Sequence, residues 1–315
     1  MRKSFSFVVL ALIALSSSAQ LLWKVSGNGL EKPSYVFGTV HVASASMIDK
    51  IPGLEQALES CDIVVGEVKN EEMKSQDFQM TMAQVMLAPP DSTLDKLFTS
   101  EEYAIIEQEF NKPLGVMGFP MSVTLSQMNA LKPNIITRQI QALRAIQALQ
   151  DVKDLPDLTG LLDLSEMDMN INVMIDMAIQ DRANEMGRPS VGLESIEEQT
   201  DLLWNAPLTK QAKNLLDVCR NSEPSRLQSL ELLKAYINQD LTKIQEIISD
   251  PEIGSLFGRT IDEFIFDRNR NWVEKLDKTM PEHSCLVCVG AGHLPGDQGL
   301  LQLLRNRGYT VEPMQ

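Results

Sequence analysis

The fold class this sequence predicts is α/β, with a central mixed sheet built from both termini and a large helical insertion or lid between them. Three observations predict it. Apolar, β-rich runs alternate with helix-period segments near both ends of the chain. The stretch from about Ser75 to Met186 is instead rich in Met, Gln, Leu and Ala, with few β-branched runs. No segment repeats at a solenoid period.

Residues 1–19 read as a signal peptide outside the fold. Arg2 and Lys3 open it, Phe5 to Leu15 form a short apolar run, and Ser17-Ser18-Ala19 supplies a cleavage pattern. No cysteine stands at that point, which argues against a lipoprotein. The expectation is an exported protein, periplasmic or secreted, with a single domain over residues 20–315. No later stretch approaches the roughly 20 apolar residues of a membrane span, so no integral membrane segment is expected after cleavage.

The mature chain begins with Leu-Leu-Trp-Lys-Val-Ser-Gly and Ser-Tyr-Val-Phe-Gly-Thr-Val-His, two strands separated by the turn-forming Gly27-Asn28-Gly29. Pro52 to Ser60 follows as a helix, with Leu54, Ala57 and Leu58 at helical spacing, and Asp62 to Val68 as a buried strand. Within the insertion, residues 75–186, Phe78, Met82, Val85 and Met86 recur at helical spacing, as do Met167, Ile171, Met174 and Met177. Such a Met stripe suits core packing or an adaptable surface. Prolines 89, 90, 113, 120, 133 and 156 punctuate the helices. Pro189 to Glu194 returns to strand, and helices are expected from Asp201 to Asp250 and from Ile261 to Thr279. Cys285–Val289 is a strand, Gly299–Arg305 a helix and Tyr309–Val311 a last strand.

The formal charge is −15, and losing Arg2 and Lys3 with the signal makes the mature chain more acidic still. That balance disfavours polyanions, so nucleic acid is excluded as a main partner. Four cysteines, Cys61, Cys219, Cys285 and Cys288, permit two disulfides in an oxidising compartment. Cys285 and Cys288 stand three apart on a strand and so face opposite sides, which suits core packing better than a shared metal.

The chemistry rests on few residues. His41 and His293 each appear three residues after a glycine, Gly38 and Gly290, that ends an apolar strand. Such a Gly-x-x-His segment places an imidazole just beyond a carboxyl strand end, where open α/β sheets bind ligands. Imidazole serves there as metal ligand or as general base. His283 has no such context and reads as exposed. Glu67 and Glu194 also end apolar strands, where a carboxylate needs a partner, a proton or a metal; the plainer alternative is a helix cap. Arg268 and Trp272 share a helix face at i, i+4, so Arg268 either holds a carboxylate or oxyanion or lies on a solvated face.

Taken together and in order, Tyr35–His41, the strand ending in Glu67, Val191–Ser195 with Gln199, Arg268-Asn269 with Trp272, and Val289–Leu294 with Gly296 and Gly299 resemble the TraB/GumN family, which includes the TIKI proteins. The resemblance covers nearly the whole mature chain; Ser195 stands where Thr is usual. It implies a fold related to erythromycin esterase-like and ChaN-like proteins, and a hydrolase dependent on a divalent metal, with manganese or cobalt favoured and zinc also fitting. Carried over, the metal ligands are His41, His293 and Glu67, and the catalytic residues Glu67, Arg268 and Glu194. The expectation is a metalloprotease-like enzyme acting on a peptide or protein substrate. The alternatives are a haem- or iron-binding envelope protein and an accessory protein in polysaccharide export.

Overall fold

The computed structural model describes residues 20–40, 48–49, 51–112, 123–152, 175–250 and 258–314. The signal peptide expected over residues 1–19, the 113–122 and 153–174 parts of the central stretch, and Met167, Ile171 and Met174 of the expected Met stripe lie outside the described residues.

Among the described residues, six strands form one sheet: β1 (Leu22–Ser26), β2 (Ser34–Thr39), β3 (Ile63–Gly66), β4 (Ser190–Gly192), β5 (Cys285–Gly290) and β6 (Thr310–Pro313). Their order is β4-β3-β5-β2-β1-β6. The first four in that order are parallel neighbours, and β1 runs antiparallel to both β2 and β6. The sequence explains the placement. β2, β3 and β5 are near-continuous apolar runs, which suits central strands covered on both faces. β4 and β6 leave most of their residues exposed and stand at the edges.

Around the sheet lie α1 (Leu54–Ser60), α2 (Asn70–Met73), α3 (Gln76–Val85), α4 (Leu94–Leu97), α5 (Ser100–Phe110), α6 (Pro133–Val152) and α7 (Ile175–Glu185). They are followed by α8 (Ile196–Trp204), α9 (Leu208–Arg220), α10 (Ser222–Ile237), α11 (Leu241–Ile248), α12 (Asp267–Thr279) and α13 (Leu300–Asn306). Two apolar clusters result. One packs both termini against the sheet through Phe37, Leu58, Val64, Leu286, Trp272 and Leu304. The other is wholly helical and joins Leu94, Ile106, Phe110, Ile136 and Ile140 to Leu215 and Leu216. The helical layer thus recruits α9 from beyond the central stretch, because α9 presents Ala212, Leu215, Leu216 and Cys219 along one face.

The cysteines follow the core reading rather than a disulfide framework. All four are buried free thiols. Burial pushes Cys61 up to about 11 and Cys219 and Cys285 up to about 12, so these thiols stay protonated and unreactive.

Candidate active site

The topology alone brings several chain segments to one place. Because β4, β3, β5 and β2 are consecutive and parallel, their carboxyl ends open on the same edge of the sheet. Glu67 follows β3 directly, Glu194 follows β4 by two residues, and His293 sits in a 3-10 turn, Ala291–His293, after β5. The β3–β4 ladder continues past the strands: Leu193 N donates to Gly66 O and Glu194 N to Glu67 O, each at 2.9 Å. That extension sets the two glutamates side by side. Neither glutamate caps a helix. Ser195 caps α8 in a reciprocal capping box with Glu198, and α2 begins after Lys69.

Gly38 and Gly66 are required by close approach. A Cβ on Gly38 would stand 3.1 Å from the Ala291 Cα and from Leu294 Cδ2, so β2 and the turn after β5 meet there without room for a side chain. On Gly66 it would stand 2.4 Å from Gln180 Nε2.

Arg268 reaches this edge from the first turn of α12, immediately after a π-helical turn, Asp262–Phe266. Its guanidinium lies 4.5 Å from the Trp272 ring centroid, as the i, i+4 spacing predicts. All five of its N–H donors are engaged. Nε donates to Glu194 Oε2 at 3.0 Å. Nη2 donates to Glu194 Oε1 at 2.7 Å and to Glu67 Oε2 at 2.5 Å. Nη1 donates to the Phe264 carbonyl at 3.2 Å and to His293 Nε2 at 3.1 Å. The guanidinium therefore has no N–H left for an external oxyanion, and its work in this arrangement is to fix both glutamates and the imidazole.

The histidine tautomer follows from Asn269. Its Nδ2 donates to the carbonyls of His293 and Gln298, at 3.0 and 2.9 Å. Its Oδ1 therefore faces His293 Nδ1, at 2.7 Å. Nδ1 carries the proton, and the Nε2 lone pair points to Arg268. The imidazole also packs on Trp272, with ring centroids 4.4 Å apart. Glu67 accepts from the Gly290 amide at 2.8 Å through its other oxygen. Arg268, Glu67, Glu194 and His293 are all largely buried.

Burial, with the neighbouring Glu67 charge, pushes the Glu194 carboxyl upward by more than Arg268 pulls it down. On Arg268, burial opposes the charged form, but the two carboxylates outweigh it and push the guanidinium upward. The pair therefore consists of a permanent cation and a carboxyl with a raised proton affinity.

Of the expected site residues, the structure brings together Glu67, Glu194, Arg268 and His293; His41 lies outside the described residues. His283 is exposed, as its context predicts. Asn269, which orients His293, carried no sequence signal beyond its place beside Arg268. Asp176, in the first turn of α7, accepts a hydrogen bond from Thr39 at the end of β2. Thr39 is in register with Gly290, so the two residues face the same side of the sheet. A Cβ on Gly290 would meet Glu67 Oε1 at 3.4 Å and His293 Cδ2 at 3.6 Å, so that side is the one bearing the cluster. Asp176 thus belongs to the same face, one strand over, and nothing in its local sequence announced it.

The described residues do not fit a metal in this arrangement. Among them, no group of three or more His, Cys, Asp or Glu side chains could hold an ion. The reason is local: the acceptors that converge do so on a guanidinium.

A family model of TraB/PrgY/gumN proteins matches residues 21–313. The chain belongs to the TraB/PrgY/gumN family. Among its relatives in that family's wider circle, the metalloprotease TIKI2 of Danio rerio is 22% identical over 318 residues, taking in 92% of this chain and 60% of that protein. The metalloprotease TIKI1 of Homo sapiens is 22% identical over 322 residues, with 92% and 61% covered. The chain thus spans about six-tenths of the length of these relatives. No solved structure matches it. No helix among the described residues is long and apolar enough to cross a membrane.

Proposed function

We propose that this TraB/PrgY/gumN family member is a hydrolase acting on peptide bonds, as the names of its TIKI metalloprotease relatives suggest. The observation that carries the reading is the buried cluster of two carboxylates and one tautomer-fixed imidazole around Arg268, at the carboxyl edge of the sheet. Residues of this kind, held within hydrogen-bond reach of one another, suit acid–base chemistry better than a structural ion pair, which needs no histidine.

In this reading Glu67 takes a proton from the attacking water, whose oxygen bonds to the peptide carbonyl carbon. Glu194, the carboxyl with raised proton affinity, delivers a proton to the leaving nitrogen as the C–N bond breaks. Arg268 and Asn269 are positioning residues, the first for the glutamates and the second for His293. The metal set expected from the resemblance is His41, His293 and Glu67 around manganese, cobalt or zinc; His41 lies outside the described residues, and the two described members converge on Arg268, so no step here is routed through a metal. An exported location, periplasmic or secreted, accompanies a peptide or protein substrate.

The test is cleavage of a peptide library by the purified protein, in EDTA and with added manganese, cobalt or zinc. Cleavage that falls by at least about 100-fold in both Glu67→Gln and Glu194→Gln supports the reading. No cleavage in any arm, or cleavage that survives both substitutions, overturns it.

A further inference from the structure

Glu194 is surrounded by donors, and one of them differs from the rest. Its side chain is only 8% exposed. Arg268 holds it through a two-bond fork, and the guanidinium is itself tied to Glu67, His293 and the Phe264 carbonyl. The Trp272 indole donates to the same carboxyl and lies buried against Arg268 and His293. The remaining donor is Gln199, whose Nε2 reaches Glu194 Oε1 at 3.3 Å. It stands one turn into α8, just past the Ser195–Glu198 capping box, and is half-buried.

Gln199 is the partner that can leave. Its bond is longer than both bonds from Arg268, at 3.0 and 2.7 Å, and lies just beyond the usual range for N–H···O. Among the described residues it is the one side-chain hydrogen bond that Gln199 makes. Releasing it frees a lone pair of Oε1 and breaks nothing else. Moving Arg268 or Trp272 instead would dismantle the buried cluster. The chemistry of this partner also matters. Gln199 presents a carboxamide, the same group as a peptide bond, with its nitrogen at hydrogen-bond reach of a carboxyl oxygen.

We propose that Gln199 is a displaceable cover on Glu194, its carboxamide nitrogen standing where the nitrogen of the amide to be cleaved comes when substrate binds. The inference rests on the reading of Glu194 as the group that delivers a proton to the leaving nitrogen, a step that needs those two groups in contact. A carboxyl so enclosed makes that contact only after a partner withdraws. Gln199, at the half-buried edge, is the one whose withdrawal leaves the Arg268 network whole. The side chain is thus an internal competitor of the substrate: an amide group that binds must first replace the bond from Gln199, and its apparent affinity is reduced by the fraction of time that the cover is closed.

The test is an NMR titration of the full chain with N-methylacetamide, read at the Trp272 indole N–H and assigned with Trp272→Phe. A saturable shift is expected. Gln199→Ala tightens the apparent affinity by about three- to tenfold, the worth of one net hydrogen bond. Gln199→Arg, whose charged donor bonds Glu194 more strongly, weakens it. Alanine suits a half-exposed helix position, so the first variant folds as the wild type does. In peptide cleavage the same variants move KM in the same directions, and by more than they move kcat. Tighter probe binding in Gln199→Ala without cleavage of any peptide supports the cover and counts against peptide hydrolysis alone. Unchanged or weaker probe binding in Gln199→Ala, or no shift in any protein up to about 200 mM, overturns the proposal whether or not peptides are cleaved.

Discussion

Arg268 grips Glu194 with two parallel hydrogen bonds, Nε to Oε2 at 3.0 Å and Nη2 to Oε1 at 2.7 Å, while its second Nη2 hydrogen goes to Glu67. Removing the guanidinium leaves two neighbouring buried carboxylates without their counter-charge. Arg268→Met is expected to lower unfolding stability at pH 7 by about 3–5 kcal/mol, measured by urea denaturation. Arg268→Lys restores the charge but not the fork, and is expected to recover only part of that loss.

Glu194 gives a pH dependence whose sign can be stated. Its folded-state value lies above the unfolded one, because burial disfavours the carboxylate. Between the two values the folded chain holds more protons than the unfolded chain. Stability attributable to Glu194 is therefore greatest below the unfolded value, about 4.3, and declines as pH rises through the raised folded value. Urea titrations across pH 4 to 8 should show that decline in the wild type and a flatter profile in Glu194→Gln. Equal slopes in the two proteins would remove Glu194 as its source.

Asn269 is the partner that sets which His293 nitrogen carries the proton. Asn269→Ala leaves Nδ1 and two backbone carbonyls without their bonds. The expected effects are a loss of about 1–3 kcal/mol in stability and a fall in any peptide-cleaving activity of roughly 10–100-fold. A variant with wild-type turnover would show that the imidazole orientation does not matter.

Gly66 immediately precedes Glu67 and leaves space for Gln180, whose amide bonds the Val68 carbonyl and the Asn70 amide. Gly66→Ala would drive its new methyl into Gln180 Nε2. We expect a stability loss of about 1–3 kcal/mol by thermal or urea unfolding. Gly290→Ala, where the added carbon makes only ordinary contacts, should be milder.

Much of the architecture was readable in the chain because it depends on local pattern. The uninterrupted apolar runs of β2, β3 and β5 mark central strands, and the stripe on α12 marks its buried face with Trp272 and Leu276. The expected long helix from Ile261 did begin there, but as a π-turn before α12, a departure that no residue preference announces. The permitted disulfides did not form: Cys61, Cys285 and Cys288 pack in the sheet core while Cys219 lies in the helical one.

The sequence by itself determined the α/β class, the strand ends that carry Glu67, Glu194 and His293, and the helix that carries Arg268, since each follows from periodicity within a few neighbouring residues. Only the tertiary structure decided that these ends lie side by side and what they bind. Arg268 meets Glu67 across 201 residues of chain, and the Gly290 amide meets the same glutamate across 223. Such contacts depend on strand order and register, and register depends on packing over the whole sheet. The full engagement of all five Arg268 donors, which makes it an internal counter-ion to Glu67 and Glu194, is a property of that packing and of no single segment.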